Sequence, residues 1–116
     1  MIKNDYKIED YKLTFNLDTR FRDLDSFGHV NNAVYASYIE SARVDLLNSW
    51  DIPRTNKGKS IIMASLNIDY HSQLEHPSSL ILGQKIARLG KTSFDIETII
   101  FDSKDNRLIC SALVVI

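Results

Sequence analysis

The chain has 116 residues, enough for one domain of ordinary size and too few for two. Its composition, 44% hydrophobic and 25% charged residues, excludes a disordered or collagen-like protein. Fourteen Lys and Arg against fifteen Asp and Glu give a formal net charge of -1 without a block of like charges. This balance disfavours nucleic acid or an anionic membrane as the partner. We therefore expect a single domain, residues 1–116, that binds a small molecule.

The sequence has one cysteine and no pattern typical of export or membrane insertion. Cys110 lies in an apolar run, which predicts a buried core thiol, and a lone cysteine excludes a disulfide within the chain. Residues 1–6 lack the apolar core of a signal peptide, and no apolar stretch approaches the roughly 18 residues that span a bilayer. These patterns predict a cytoplasmic protein.

A strand and a long helix are the first two predicted elements. Apolar and polar residues alternate from Tyr11 to Phe21, which is typical of a half-buried strand. From Asn32 to Trp50 the apolar period lengthens to three or four residues, which predicts an amphipathic helix. Asn31 or Asn32 is the expected N-cap, and Pro53 should close the helix. The predicted apolar stripe comprises Tyr35, Ile39, Ala42, Leu46 and Trp50, widened by Val34 and Tyr38.

Four further runs, residues 61–70, 80–89, 93–101 and 108–116, have the composition of strands. The polar turns at 90–92 and 102–106 are short, so the last three strands should form an antiparallel meander. Apolar residues cover more than half of the helix circumference, so the sheet should curl around it. The predicted fold is therefore α+β, with one long central helix wrapped by a curved five-stranded antiparallel sheet.

The segment from Arg22 to Asn32, between the first strand and the helix, contains residues suited to catalysis. Asp25 precedes a helix N-terminus, where unpaired amides and the helix dipole favour its ionised form. The same amides can bind a carbonyl oxygen that gains negative charge. Gly28 lacks a β-carbon and so lets a ligand approach the main chain. An Asp that only caps the helix or lies in a solvated turn is the alternative, and these residues by themselves leave both open.

A longer motif connects this segment with a known family. The run Asp23-Leu24-Asp25-Ser26-Phe27-Gly28-His29-Val30-Asn31-Asn32-Ala33-Val34-Tyr35, followed by Tyr38, Glu40, Ala42 and Arg43, resembles the signature of the 4-hydroxybenzoyl-CoA thioesterase family of the hotdog superfamily. The run Gly90-Lys91-Thr92-Ser93-Phe94 resembles a hairpin of the same family. The resemblance covers essentially the whole chain, although Gln73 and Pro77-Ser78 depart from the usual loop. It implies a hotdog fold and hydrolysis of an acyl-CoA to free acid and CoA.

The resemblance also implies roles for individual residues. Asp25 would be the catalytic carboxylate, either as nucleophile on the thioester carbon or as general base for water. The main-chain amide of Asn32 would donate to the thioester oxygen, and His29 could orient the substrate or a water. The substrate contacts implied by the family are Gly28, Asn31, Tyr35, Lys91, Thr92 and Ser93.

Other polar residues nearby have simpler interpretations. Asp23 is interpreted as a turn or ion-pair residue, with Arg22 as its candidate partner. His71 and His76 lie in a connecting segment where exposure is expected. A metal site formed by these histidines and Glu75 is disfavoured, because stable sites need three or four converging ligands. The predicted chemistry needs no metal or redox cofactor.

Partners and alternatives follow from the same resemblance. The expected substrate is an acyl-CoA or an acyl carrier protein thioester, with the acyl group left open between aromatic and aliphatic acids. The family implies a homodimer or homotetramer in which helices pair, sheets join and each active site lies at the subunit interface. A non-catalytic acyl-CoA binding or regulatory module is the main alternative. A hydratase or dehydratase is a third hypothesis, but its usual Asp and His pairing is not found.

Overall fold

One antiparallel sheet and one long helix make up the protein in the computed structural model, which describes residues 6–50 and 62–116. The helix α1 spans Val34–Ser49. None of the helices in these two ranges is long and apolar enough to cross a membrane. The strands are β1 (Leu13–Asp18), β2 (Ser65–Tyr70), β3 (Ser79–Leu89), β4 (Phe94–Asp102) and β5 (Arg107–Val115).

The strands lie in the order β1-β3-β4-β5-β2, and every neighbouring pair is antiparallel. The predicted meander of the last three strands is confirmed, because β3, β4 and β5 pair in succession. The chain thus enters the sheet at one edge, crosses its face as α1 and returns at the opposite edge as β2. With four antiparallel pairs in succession, β1 and β2 run in the same direction, so the helix starts at the end of the sheet where β2 ends, and Tyr70 contacts Asn32 there.

Element boundaries differ from the predicted ones where polar residues intervene. The first strand covers Leu13–Asp18 and not Tyr11 to Phe21, because Phe21–Asp23 forms a short 3-10 helix. The helix begins at Val34, and Ala33 in the N-cap position makes no side-chain cap hydrogen bond. The N-cap position is therefore not Asn31 or Asn32, as predicted, but Asn31 makes the predicted kind of bond, because its Oδ1 accepts the Ala33 N–H at 2.9 Å. Pro53, and residue 61 at the predicted start of β2, lie outside the described residues.

The core lies between the helix and one face of the sheet. Alternate residues of β3 and β4 point to this face, and most of them are apolar, as a half-buried strand requires. Trp50, predicted to belong to the apolar stripe, is instead 42% exposed beyond the end of the helix. Cys110 is 0% exposed, which confirms the predicted buried thiol, and this burial raises the pKa of the thiol to about 12. The buried residues of the helix are Tyr35, Tyr38, Ile39, Ala42 and Leu46.

The N-terminal segment covers part of the other face of the sheet. Tyr11 is buried there together with Ile99 and Phe101, and its hydroxyl donates a hydrogen bond to Glu97. A β-carbon added at Gly83 would lie 2.8 Å from the Tyr11 β-carbon, too close for any real contact. Glycine at this position of β3 therefore allows the segment to lie flat on the sheet.

Candidate active site

The segment between β1 and α1 folds into a tight turn stabilised by main-chain hydrogen bonds. The Asp25 N–H donates to the His29 carbonyl at 2.8 Å, and the Asn31 N–H donates to the Asp23 carbonyl at 2.9 Å. Gly28, at the tip, has a φ of 83°, in the left-handed region that favours glycine. A β-carbon there would meet nothing within 4 Å. The glycine is thus explained by backbone conformation and not by close packing.

The Asp25 carboxylate lies inside this turn and is half-buried. Its Oδ1 accepts hydrogen bonds from the main-chain N–H of Phe27 at 2.9 Å and of His29 at 3.2 Å. Among residues 6–50 and 62–116, no donor contacts Oδ2. One oxygen is therefore fixed by the turn, while the other is available to a substrate or a water.

The amides before the helix differ in their partners. The Asn31 N–H is bonded to Asp23, the Ala33 N–H donates to Asn31 Oδ1 at 2.9 Å, and the Val34 N–H donates to the Asn31 carbonyl at 2.9 Å. The described residues offer the Asn32 N–H no acceptor. Tyr70 Oη donates to the Asn32 carbonyl at 2.8 Å, which fixes the following peptide. An unpaired amide at a helix start can bind an oxygen that carries negative charge.

A cleft of about 640 Å³ opens beside this amide and Asp25. Tyr35 forms part of it and is only 2% exposed, and its ring packs edge-on against Tyr70 with centroids 5.4 Å apart. Burial raises the pKa of the Tyr35 hydroxyl, which therefore stays protonated near neutral pH. The residues that line the cleft are Asp25, Phe27, His29, Val30, Asn32, Tyr35, Tyr70, His71, Ser72 and Gln73.

The loop that follows β2 forms one wall of the cleft. The Val30 N–H donates to the Leu74 carbonyl at 2.8 Å, and His29 forms an antiparallel bridge with Glu75. His29 Nε2 lies 3.9 Å from Glu75 Oε2, and Glu75 Oε1 lies 3.8 Å from Arg107 Nη2. The loop is therefore attached to the turn around Asp25 through the main chain and through the side-chain contact between His29 and Glu75.

The two remaining histidines contact different residues. His71 Nε2 lies 3.0 Å from Ser111 Oγ, and His76 Nδ1 lies 2.8 Å from Thr19 Oγ1. They do not converge with Glu75 on a common point. In the part of the chain that the structure describes, no group of three or more His, Cys, Asp or Glu could hold a metal ion.

Asp23 is the most enclosed carboxylate of the turn, at 2% exposure. It pairs with Arg20, whose Nη2 lies 3.0 Å from Asp23 Oδ1, so the predicted pairing with Arg22 is wrong. The 3-10 turn brings the Asp23 carboxylate next to Arg20, three positions earlier. Asp23 Oδ2 also accepts a hydrogen bond from the main-chain N–H of Arg20 at 2.9 Å. Burial opposes ionisation, but hydrogen bonds from Tyr38 and Arg20 outweigh it and lower the pKa of Asp23.

The structure brings together some of the predicted site residues and separates others. Asp25, His29, Asn32 and Tyr35 line one cleft. Gly28 and Asn31 belong to the same turn but do not line the cleft, since Asn31 uses its side chain on the Ala33 amide. The three hairpin residues Lys91, Thr92 and Ser93 lie beyond the far end of β3 from Ser79. That strand places them roughly 30 Å from the turn within one chain, at ~3.3 Å per residue.

Sequence reasoning does not identify the wall formed by residues 70–73. Tyr70, His71, Ser72 and Gln73 lead from β2 into a connecting loop, for which exposure is the ordinary expectation. The alternation of Leu66, Ile68 and Tyr70 is the available signal, because it places the Tyr70 side chain on the same face of β2 as two residues that pack against the core.

Comparison with known proteins places this geometry in a family. The sequence profile of the thioesterase-like superfamily matches residues 19–116. A candidate acyl-CoA thioesterase from Xanthomonas campestris is 34% identical, with a TM-score of 0.80 over 91% of this chain and 92% of that chain. A thioesterase from Thermus thermophilus, solved with coenzyme A and Zn, is 30% identical, with a TM-score of 0.81 over 92% of this chain and 78% of that chain.

A curated relative with a similar sequence is YsmA of Bacillus subtilis (strain 168), an uncharacterized protein. It is 26% identical over 96 residues, and the match spans 79% of this chain but 65% of YsmA.

The chain therefore belongs to the thioesterase-like superfamily, a class of thioester hydrolases with the hotdog fold. The fold and the class that the motif around Asp25 predicts are both confirmed.

Proposed function

We propose that the protein hydrolyses an acyl-CoA thioester to the free acid and CoA. The observation that carries the proposal is that Asp25 and Asn32 line one cleft. Among the described residues, nothing donates to Asp25 Oδ2 and nothing accepts the main-chain N–H of Asn32. Thioester hydrolysis needs a group that activates or performs nucleophilic attack and a donor that stabilises the oxyanion. These two residues supply one of each.

Two reaction sequences use the same groups. In the first, Asp25 Oδ2 takes a proton from water while the water oxygen bonds to the thioester carbon. In the second, Oδ2 itself bonds to that carbon, thiolate leaves, and water then hydrolyses the mixed anhydride. In both, the carbonyl oxygen becomes an oxyanion beside the Asn32 N–H, and the C–S bond breaks as the oxyanion collapses. The thiolate leaves and takes a proton from solvent, and in the first sequence Asp25 then releases its proton to solvent, which restores the carboxylate. His29, which lines the cleft with Nε2 near Glu75, would orient the water or the acyl group.

Coenzyme A is proposed as the thiol because the Thermus thermophilus relative was solved with it. An acyl carrier protein thioester has the same reacting group and is the competing substrate. The acyl group would lie against Tyr35 and Tyr70, the aromatic side of the cleft. No metal or redox group has a part in the proposed reaction.

We also propose that the active unit is a homodimer or a dimer of dimers. The exposed side of the helix includes Ser37 and Ser41, small residues that would let the helix of a second copy approach closely. Strand β2 lies at the edge of the sheet, where a second β2 could extend it. A second copy could also bring its hairpin at 91–93 to the cleft. Light scattering after size-exclusion chromatography should give two or four times the mass of 13.3 kDa, and a monomer would contradict the proposal.

A thiol-release assay over a panel of acyl-CoA substrates tests the reaction. The panel should include aromatic, short aliphatic and long aliphatic acyl groups, each also offered on an acyl carrier protein. At least one thioester should be cleaved well above its spontaneous rate, and the profile across the panel defines the acyl preference. If acyl-CoA binds by calorimetry but no thioester is cleaved, the enzyme proposal fails and a binding module takes its place.

A further inference from the structure

Asp23, two residues before the catalytic aspartate, does not line the cleft, yet it contacts the elements on both sides of the turn. Its Oδ2 accepts a hydrogen bond from Tyr38 Oη, in the second turn of the helix, at 2.6 Å. Its two oxygens also accept from Arg20, just before the 3-10 turn, at 3.0 Å to Nη2 and 3.4 Å to Nε. Its main-chain carbonyl accepts the Asn31 N–H. A single residue thus joins the end of β1, the last residues of the turn and the helix.

We propose that Asp23, held by Tyr38 and Arg20, is a positioning residue that sets the placement of the Asn32 amide relative to the Asp25 carboxylate. The proposal rests on the proposed function and adds to it the group that aligns the two reacting components. The Asn31 N–H is bonded to the Asp23 carbonyl, and the next amide along the chain, that of Asn32, has no acceptor among the described residues and belongs to a residue that lines the cleft.

The charge and burial of the Asp23 carboxylate favour a fixed geometry over a mobile one. Both Asp23 and Tyr38 are 2% exposed, so water cannot replace the Tyr38 donor without opening the turn, whereas the Arg20 side chain is half exposed. Hydrogen bonds to a charged acceptor are short and about twice as strong as those between neutral groups. Burial and the neighbouring carboxylate raise the pKa of Tyr38, which keeps its hydroxyl a donor. A displacement of about 1 Å at the reacting groups can lower a rate by ~100-fold.

The test is the variant Tyr38→Phe, with Tyr11→Phe as a matched control. Tyr11 is also buried and also donates its hydroxyl to a carboxylate, that of Glu97, but on the opposite face of the sheet. Both variants should lose stability for a similar reason. We expect kcat of Tyr38→Phe to fall about 10- to 100-fold with little change in KM, measured where thermal unfolding shows both variants folded. The kcat of Tyr11→Phe should stay near that of wild type.

A second measurement needs no substrate. In amide nuclear magnetic resonance spectra of the free protein, Tyr38→Phe should shift the signals of Asn31 and Asn32, whereas Tyr11→Phe should leave them in place. Asp23→Asn should have the same effect if Tyr38→Phe proves too unstable. Unshifted amides, or shifted amides with wild-type kcat, would overturn the positioning role. Failure of the wild-type enzyme to cleave any thioester would instead count against the proposed function, which keeps the two outcomes separate.

Discussion

Replacement of Asp25 by Asn is expected to lower kcat for thioester hydrolysis by about 10² to 10⁴-fold, the usual contribution of a positioned acid–base group. Asn retains an oxygen that can accept the Phe27 and His29 amides, so the turn should keep its shape. What is lost is the negative charge and basicity of Oδ2. Thiol release under saturating substrate, with CoA binding measured in parallel by calorimetry, separates chemistry from binding.

Two controls sharpen this result. Asp105 also lies in a turn and accepts the main-chain N–H two residues later, that of Arg107, at 3.1 Å, but it does not line the cleft. Asp105→Asn should therefore keep wild-type activity. Asn32→Ala should also stay within a few-fold, because the proposed donor is the main-chain amide, and a loss as large as that of Asp25→Asn would assign the role to its side chain. Undiminished hydrolysis by Asp25→Asn would refute the assignment of Asp25.

The largest effect on stability is expected from Leu74→Ala. Leu74 is 0% exposed in the main core although it lies in the loop after β2, and its carbonyl binds the Val30 amide. Truncation of a buried Leu leaves a cavity and lowers the free energy of unfolding by about 2–5 kcal/mol. A domain of this size has a total stability of roughly 5–15 kcal/mol, so the change would be large. Denaturant and thermal unfolding measure it directly.

Leu89→Ala is the control for this variant. Leu89 ends β3 and is 78% exposed, so its truncation removes little buried surface. Its free energy of unfolding should remain within about 0.5 kcal/mol of wild type. If Leu74→Ala were equally mild, the loop wall of the cleft would have to be more loosely packed than the structure indicates.

The order of the elements and the meander were predictable because they depend on local patterns. The strand-like composition of residues 80–89, 93–101 and 108–116 and the two short polar turns indicate strand type and pairing without reference to distant residues. The turn around Asp25 was predictable for another reason. Its motif occupies consecutive positions, so the family resemblance implied roles for several of its residues at once. Four of the predicted site residues line one cleft in the structure, namely Asp25, His29, Asn32 and Tyr35.

The features that the sequence did not predict depend on local turn geometry or on contacts between residues far apart in the sequence. The carboxylate of Asp23 pairs with Arg20 and not Arg22 because the intervening residues form a 3-10 turn, which a strand pattern does not reveal. Tyr70 donates a hydrogen bond to the Asn32 carbonyl although the two residues are 38 positions apart in the sequence. The helix begins at Val34, later than the apolar period suggests, because residues 32 and 33 form a turn in which the Asn31 side chain accepts the Ala33 amide.

The N-terminal segment over the outer face of the sheet has a consequence for the order of assembly during synthesis. Tyr11 bonds to Glu97, a residue 86 positions later, and lies against Gly83 of β3. The chain emerges from the ribosome N-terminus first, at about 5–20 residues per second. Glu97 is therefore synthesised several seconds after Tyr11. Contacts of such long sequence separation form late in folding. We therefore expect this segment, although it is among the first described residues of the chain, to complete the structure after the β3–β4 hairpin has formed.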